Sequence, residues 1–181
     1  MQPCPTHDAS THDLLSLILR MEDPDTIVTL ACDIAERVAD RAASPQATRR
    51  MLDAARAWRD EPQAVRKAHT REDLKWKAKS SKLLAAGEYQ PVWATKATIE
   101  ALGTAQGAIA QVIDSRPDTL YLIQDGVVQA ATAVLDAVEI GTNDAEAAWQ
   151  IKHAEALACT CPVLSEADPT EARTRNSTLS D

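Results

Sequence analysis

An all-α fold follows from three features of the sequence. Alanine, the strongest helix former, supplies 33 of the 181 residues. With five Gly, two Tyr and no Phe, the chain lacks the turn glycines and aromatics of sandwiches and barrels. Six of the nine prolines (Pro24, Pro45, Pro62, Pro91, Pro117 and Pro162) fall between apolar stretches of helical period. The expected architecture is about seven helices in a single Ala-rich bundle or a short solenoid-like array. One domain over 10–160 is flanked by a flexible N-terminus (1–9) and a polar, disordered C-terminal tail (161–181), which is rich in Ser, Thr, Asp and Glu.

The first helix is expected over Ser10–Met21, with Leu14, Leu15, Ile18 and Leu19 on one face and Thr11 or Asp13 as its cap. Asp23-Pro24 starts the second, an Asp N-cap followed by Pro at the first helical position. Its buried stripe is Ile27, Leu30, Ala31, Ile34, Ala35 and Val38, and it is expected to reach Ala43. Ser44-Pro45 opens the third, with Met51, Leu52, Ala55 and Trp58 inward. Glu61-Pro62 opens the fourth, which carries Val65, His69 and Leu83 and stops at Gly87. Pro91 opens the fifth, expected from Val92 to Ser115 with Ile99, Leu102, Ala105, Ile109 and Val112 inward. No charge interrupts residues 101–113, which marks this helix as central. Arg116-Pro117 starts the sixth, running to Ile140 and Gly141. Asn143 is expected to cap the seventh, with Glu146 completing a capping box. Alanine faces on the fifth and sixth helices predict close axes, and the four Trp supply the bulk that Phe would otherwise give.

Charge is unevenly spread. Residues 49–82 hold 11 Lys/Arg and 5 Asp/Glu, a net +6, so the rest of a chain of net −8 carries −14. The basic patch is Arg66, Lys67, Arg71, Lys75, Lys77, Lys79 and Lys82, with Trp76 among them. Its plainest reading is a solvated helix pair whose cations meet acidic neighbours. The sharper reading is an acidic surface elsewhere that steers a basic partner. A net acidic chain opposes phosphate approach, so direct nucleic-acid binding is not expected.

Catalytic signatures are absent. There is no G-x-G-x-x-G, no P-loop, no H-E-x-x-H and no G-x-S-x-G. His7 and His12 lack metal-ligand spacing, and Cys159-Thr-Cys161 supplies only two of about four zinc ligands. Cys4, Cys32, Cys159 and Cys161 read as thiols in a reducing compartment. His69 and His153 read as structural. Asp33 and Glu36, three residues apart, read as partners for Arg37, Arg56 or Arg59 rather than as an acid–base pair. No catalytic residue, cofactor or metal is expected. No apolar run reaches bilayer length and no leader is apparent, so a cytoplasmic protein is expected.

Three segments, Leu30-Ala31-Cys32-Asp33-Ile34-Ala35-Glu36-Arg37-Val38, Met51-Leu52-Asp53-Ala54-Ala55-Arg56-Ala57-Trp58 and Glu146-Ala147-Ala148-Trp149-Gln150-Ile151, share an order and spacing. Together they resemble the all-helical immunity proteins (the Imm-5-like group) of bacterial polymorphic toxin systems, over roughly residues 28–158. The chain departs from that pattern at 101–108, where no His is present, and over 75–90, which is not Ala-rich. The resemblance implies a non-enzymatic protein that binds and neutralises a cognate toxin. It also implies shared positions Asp33, Glu36, Arg37, Arg56 and Trp58, of which Arg56 with the Asp33/Glu36 pair reads as an interhelical polar lock and Trp58 as core. The expected partner is another protein, such as a basic toxin. The alternatives are an acidic helical inhibitor or adaptor, such as a phage-encoded protein that blocks a nucleic-acid channel, and a helical-bundle enzyme.

Overall fold

The computed structural model describes residues 14–138 and 142–160. The expected flexible N-terminus, the C-terminal tail, His7, His12, Cys4, Cys161, Pro162 and the caps Thr11 and Asp13 lie outside them.

Among the described residues there are seven α-helices and no strand. They are α1 (Leu14–Ile18), α2 (Pro24–Glu36), α3 (Pro45–Arg56), α4 (Pro62–Ala85), α5 (Tyr89–Ala108), α6 (Leu120–Ala137) and α7 (Asn143–Thr160). Helix α5 packs against α2, α3, α4 and α6, and α2 also packs against α6 and α7. A solenoid repeat touches only its neighbours in sequence, so this is a bundle around a central helix.

Local chemistry sets most helix ends. Asp23 accepts hydrogen bonds from the Thr26 backbone N–H (2.8 Å) and hydroxyl (2.5 Å), which caps α2. Burial pushes the Asp23 carboxyl up, but these bonds outweigh it and hold the group below its ordinary value. Pro24, Pro45 and Pro62 each occupy a first helical position, where the missing N–H has no intrahelical role. Gly87, at φ +82°, ends α4 in the left-handed region that glycine adopts without steric cost.

Several expected boundaries are corrected. Within the described residues helix α1 ends at Ile18 rather than Met21 and buries Leu17 and Ile18, while Leu15 and Leu19 face outward. Helix α2 stops at Glu36, and a 3₁₀ turn (Ala39–Arg41) follows; Val38, just before the turn, and Ala39, its first residue, still reach the core. Helix α5 begins at Tyr89 and ends at Ala108. Beyond it Ile109–Ile113 form a π-helical turn, where the Asp114 N–H donates to the Ile109 carbonyl five residues back. The wider turn breaks the inward stripe, so Val112, expected in the core, is 40% exposed. A 3₁₀ turn at Pro117–Thr119 then leads into α6, which ends at Ala137 rather than Ile140. Asn143 is the first residue of α7 rather than its cap, and the Glu146 carboxylate reaches another helix, so no capping box forms.

The core is aliphatic. Ile27, Leu30, Ile34, Leu52, Ile99, Leu102, Ile109 and Ile123 are all 1% exposed or less. Ala101, Ala105, Ala108, Ala130 and Ala137 are fully buried on α5 and α6. A methyl group at Gly126 would overlap the Thr104 hydroxyl and come within 3.4 Å of the Thr104 backbone, which shows how closely these two helices approach. Of the four Trp only Trp58 is in the core, at 2% exposed. Trp76, Trp93 and Trp149 are half-buried at the edges, so the bulk comes mainly from Ile and Leu.

Candidate functional site

Three surface regions bring functional groups together: a polar cluster across α2, α3 and α7, an acidic and apolar face on α1 and α6, and a cationic groove between α3 and α4.

The polar cluster contains the residues singled out by the family resemblance. The Arg56 guanidinium bridges Asp33 (2.9 Å) and Glu36 (2.5 Å), tying α3 to α2. Removing Arg56 from water lowers its pKa, yet the bonds to the two carboxylates outweigh that and raise it. Arg37 does not join them. It donates to both oxygens of Glu146 on α7, the closest contact being 3.0 Å, and its guanidinium lies 4.4 Å above the Trp149 ring. Arg59 turns instead to Asp25, 2.7 Å away, and sits over Trp58.

Two members of this cluster were not anticipated. The Nε2 atom of His153 lies 2.9 Å from Asp33, and its ring stacks on Trp149 at 4.8 Å. Glu146, Trp149 and His153 recur at three and four residues on α7, so their common face is readable from helical spacing. Their pairing with α2 is not, because nothing local specifies which helix α7 meets. Each of these carboxylates already has a cationic or imidazole partner, and the cluster opens into no described cavity, so its chemistry is that of an interhelical lock. Cys32 lies beside it on α2. Burial pushes its thiol up to about 12, which makes it part of the core and not a nucleophile. Among the described residues no group of three or more His, Cys, Asp or Glu is placed to hold a metal ion.

The acidic and apolar face is formed by α1 and α6. Leu15, Leu19, Tyr121 and Leu122 are 47–65% exposed. They line an open cavity of about 570 Å³ together with Gln124, Asp125 and Val128, and no cation lines it. Asp125 and Asp136, eleven residues apart, lie on one side of α6, and Asp118 is exposed in the 3₁₀ turn that leads into it. None of the three is in an ion pair among the described residues.

The cationic groove lies between α3 and α4. Its main part is about 810 Å³, with Ala47, Met51, Ala54, Ala64 and Ala68 as an apolar floor and Arg50, Lys67, Arg71 and Lys75 above it. A smaller part of about 250 Å³ continues along α4 past Trp76 and Lys79 to Leu83. Its one carboxylate, Glu72, is held by Lys75 (2.9 Å) and Arg71 (2.6 Å). Burial raises the pKa of that carboxyl, but these bonds lower it further, so it stays charged and paired. Elsewhere on α4, Arg66 pairs with Asp114 and Lys77 with Asp73. Arg50, Lys67, Lys79 and Lys82 are in no ion pair among the described residues. The basic segment is therefore only partly neutralised by its neighbours. Trp76 is not a free stacking platform: its Nε1–H faces the Val92 carbonyl at 3.4 Å, Lys96 covers its ring, and Trp93 packs beside it. The remaining lone histidine, His69, is half-buried with its ring against Gly103 of α5.

Compared with known proteins, the chain matches no family model, no curated protein and no solved structure. No helix among the described residues is long and apolar enough to cross a membrane.

Proposed function

We propose that this chain is a non-enzymatic binding protein of the immunity type, which neutralises a basic toxin by one-to-one binding. The observation that supports this reading is the α1–α6 face. Four large apolar side chains stand exposed around a cavity where, among the described residues, Asp125 is the one charged lining group. Protein interfaces bury an apolar centre anchored by aromatic side chains such as Tyr121. The carboxylates Asp118, Asp125 and Asp136, in no ion pair among the described residues, add a field that steers a cationic partner and rejects an acidic one. The immunity assignment itself comes from the sequence resemblance, and the polar lock supplies the rigid frame such an inhibitor needs.

The test is a calorimetric titration against any toxin domain encoded beside the gene for this chain, with growth rescue on co-expression as the cellular readout. The expected result is a 1:1 complex that Tyr121→Ala and Asp125→Lys each weaken by on the order of tenfold or more. Absence of a complex with that domain, or unchanged affinity in the doubly substituted chain, overturns the reading.

A further inference from the structure

We propose that the α3–α4 groove is a second docking site, and that its occupant is an acidic amphipathic helix of a partner protein. This goes beyond the toxin-binding reading and shares no residue with the α1–α6 face. The argument starts from register. On α4, Lys67, Arg71, Lys75 and Lys79 recur every four residues and form a continuous cationic stripe about 18 Å long at 1.5 Å per residue. Arg50 faces them from α3. Between the two rims the floor is mostly carbon, Ala47, Met51 and Ala54 from α3 and Ala64 and Ala68 from α4, and the groove's one carboxylate, Glu72, is held by Arg71 and Lys75.

That combination selects the partner. A helix with carboxylates every four residues matches the cation stripe step for step, and an adjoining apolar stripe seats on the alanine floor. A nucleic-acid backbone satisfies only the cations and leaves the floor unused. It also finds no open aromatic face, because Trp76 is covered by Lys96 and Trp93. Two of the cations, Lys67 and Lys79, have no carboxylate partner among the described residues, so pairing them costs no existing ion pair.

The experiment uses the full chain, isotopically labelled for backbone amide NMR. The probe is an 18-residue capped peptide with Glu at every fourth position and Leu on the neighbouring stripe. A peptide with Lys in place of Glu and a single-stranded DNA 12-mer are compared with it. The expected result is saturable shifts at Met51, Ala68 and Lys75, weakened as salt is raised. Lys67→Glu with Lys79→Glu should reduce affinity on the order of tenfold, while Lys152→Glu on α7 leaves it unchanged. Both lysines are exposed and unpaired, and circular dichroism of the variant confirms that the fold is kept. Equal binding of the Lys peptide, tighter binding of the oligonucleotide, shifts confined to α1 and α6, or no shifts at saturating peptide would each overturn the proposal.

Discussion

The α5–α6 interface and the α3–α4 junction are both built on alanine, and they do opposite things with it. Between α5 and α6, Ala101, Ala105, Ala108, Ala130 and Ala137 are fully buried, and Gly126 lets the backbone of α6 meet Thr104. Between α3 and α4, Ala47, Ala54, Ala64 and Ala68 line an open groove of about 810 Å³. Alanine permits close approach without commanding it. The neighbours decide: around the α5–α6 alanines stand Ile99, Leu102, Ile123, Val127 and Val134, whose burial draws the helices together. Around the α3–α4 alanines stand Arg50, Lys67, Arg71 and Lys75, whose charged ends stay in water and do not draw the helices together.

The comparison can be broken most severely at the closed interface. Gly126→Val places two methyl groups against the Thr104 side chain and backbone. The interior cannot yield without moving a helix, so a loss of about 3 kcal/mol is expected in urea unfolding, exceeding any gain from removing a helical glycine. An unchanged midpoint would mean that the two helices are less tightly joined than described here.

Between these extremes lies the ionic joint of α2 and α3. Arg56→Met keeps an unbranched apolar stem but leaves Asp33 with His153 alone and Glu36 without its cation. Because these groups are partly exposed, about 1 kcal/mol is expected, diminished at high salt. A double-mutant cycle of Arg56→Met with Asp33→Asn isolates the pair and should show clear coupling.

A change that touches neither interface calibrates both. Asp23→Ala removes the α2 cap and should cost about 1 kcal/mol near neutral pH. The sign with pH follows from the lowered carboxyl pKa: the cap's contribution is complete above the ordinary Asp value of 3.8 and is lost as pH falls through the lower folded value. The difference between wild type and Asp23→Ala should therefore shrink in thermal melts recorded below that pH, and Asp23→Asn should keep most of it at every pH.

The smallest effect is expected in the open groove. Ala64 is exposed on its floor, so Ala64→Leu should change stability by no more than about 0.5 kcal/mol. The same substitution type fails at a closed position such as Ala105, which makes the pair a direct contrast in chemical denaturation.

Helix number, the starts of α2, α3 and α4, and the centrality of α5 were legible in the chain because their signals are local. Asp23 caps three residues ahead, Pro24, Pro45 and Pro62 fit only a first turn, and the apolar positions of the uncharged run 101–109 have no stable place outside. The polar lock was half legible. Asp33 and Glu36 share a face of α2 within reach of an arginine, but that the partner is Arg56, and that Arg37 turns away to Glu146, depends on how α3 and α7 are set against α2. The π turn after Ala108 also escaped the sequence, since nothing in its residues announces an extra residue per turn, and it turned Val112 out of the core.

Local hydrogen bonding and helical period thus suffice to say where this chain coils and which stripes are apolar. Whether two alanine stripes close on each other or stand apart is decided by the packing of every flanking side chain at once. The sequence alone therefore carried the helices and the +6 segment, while only the assembled bundle turned that segment into a groove with a carbon floor.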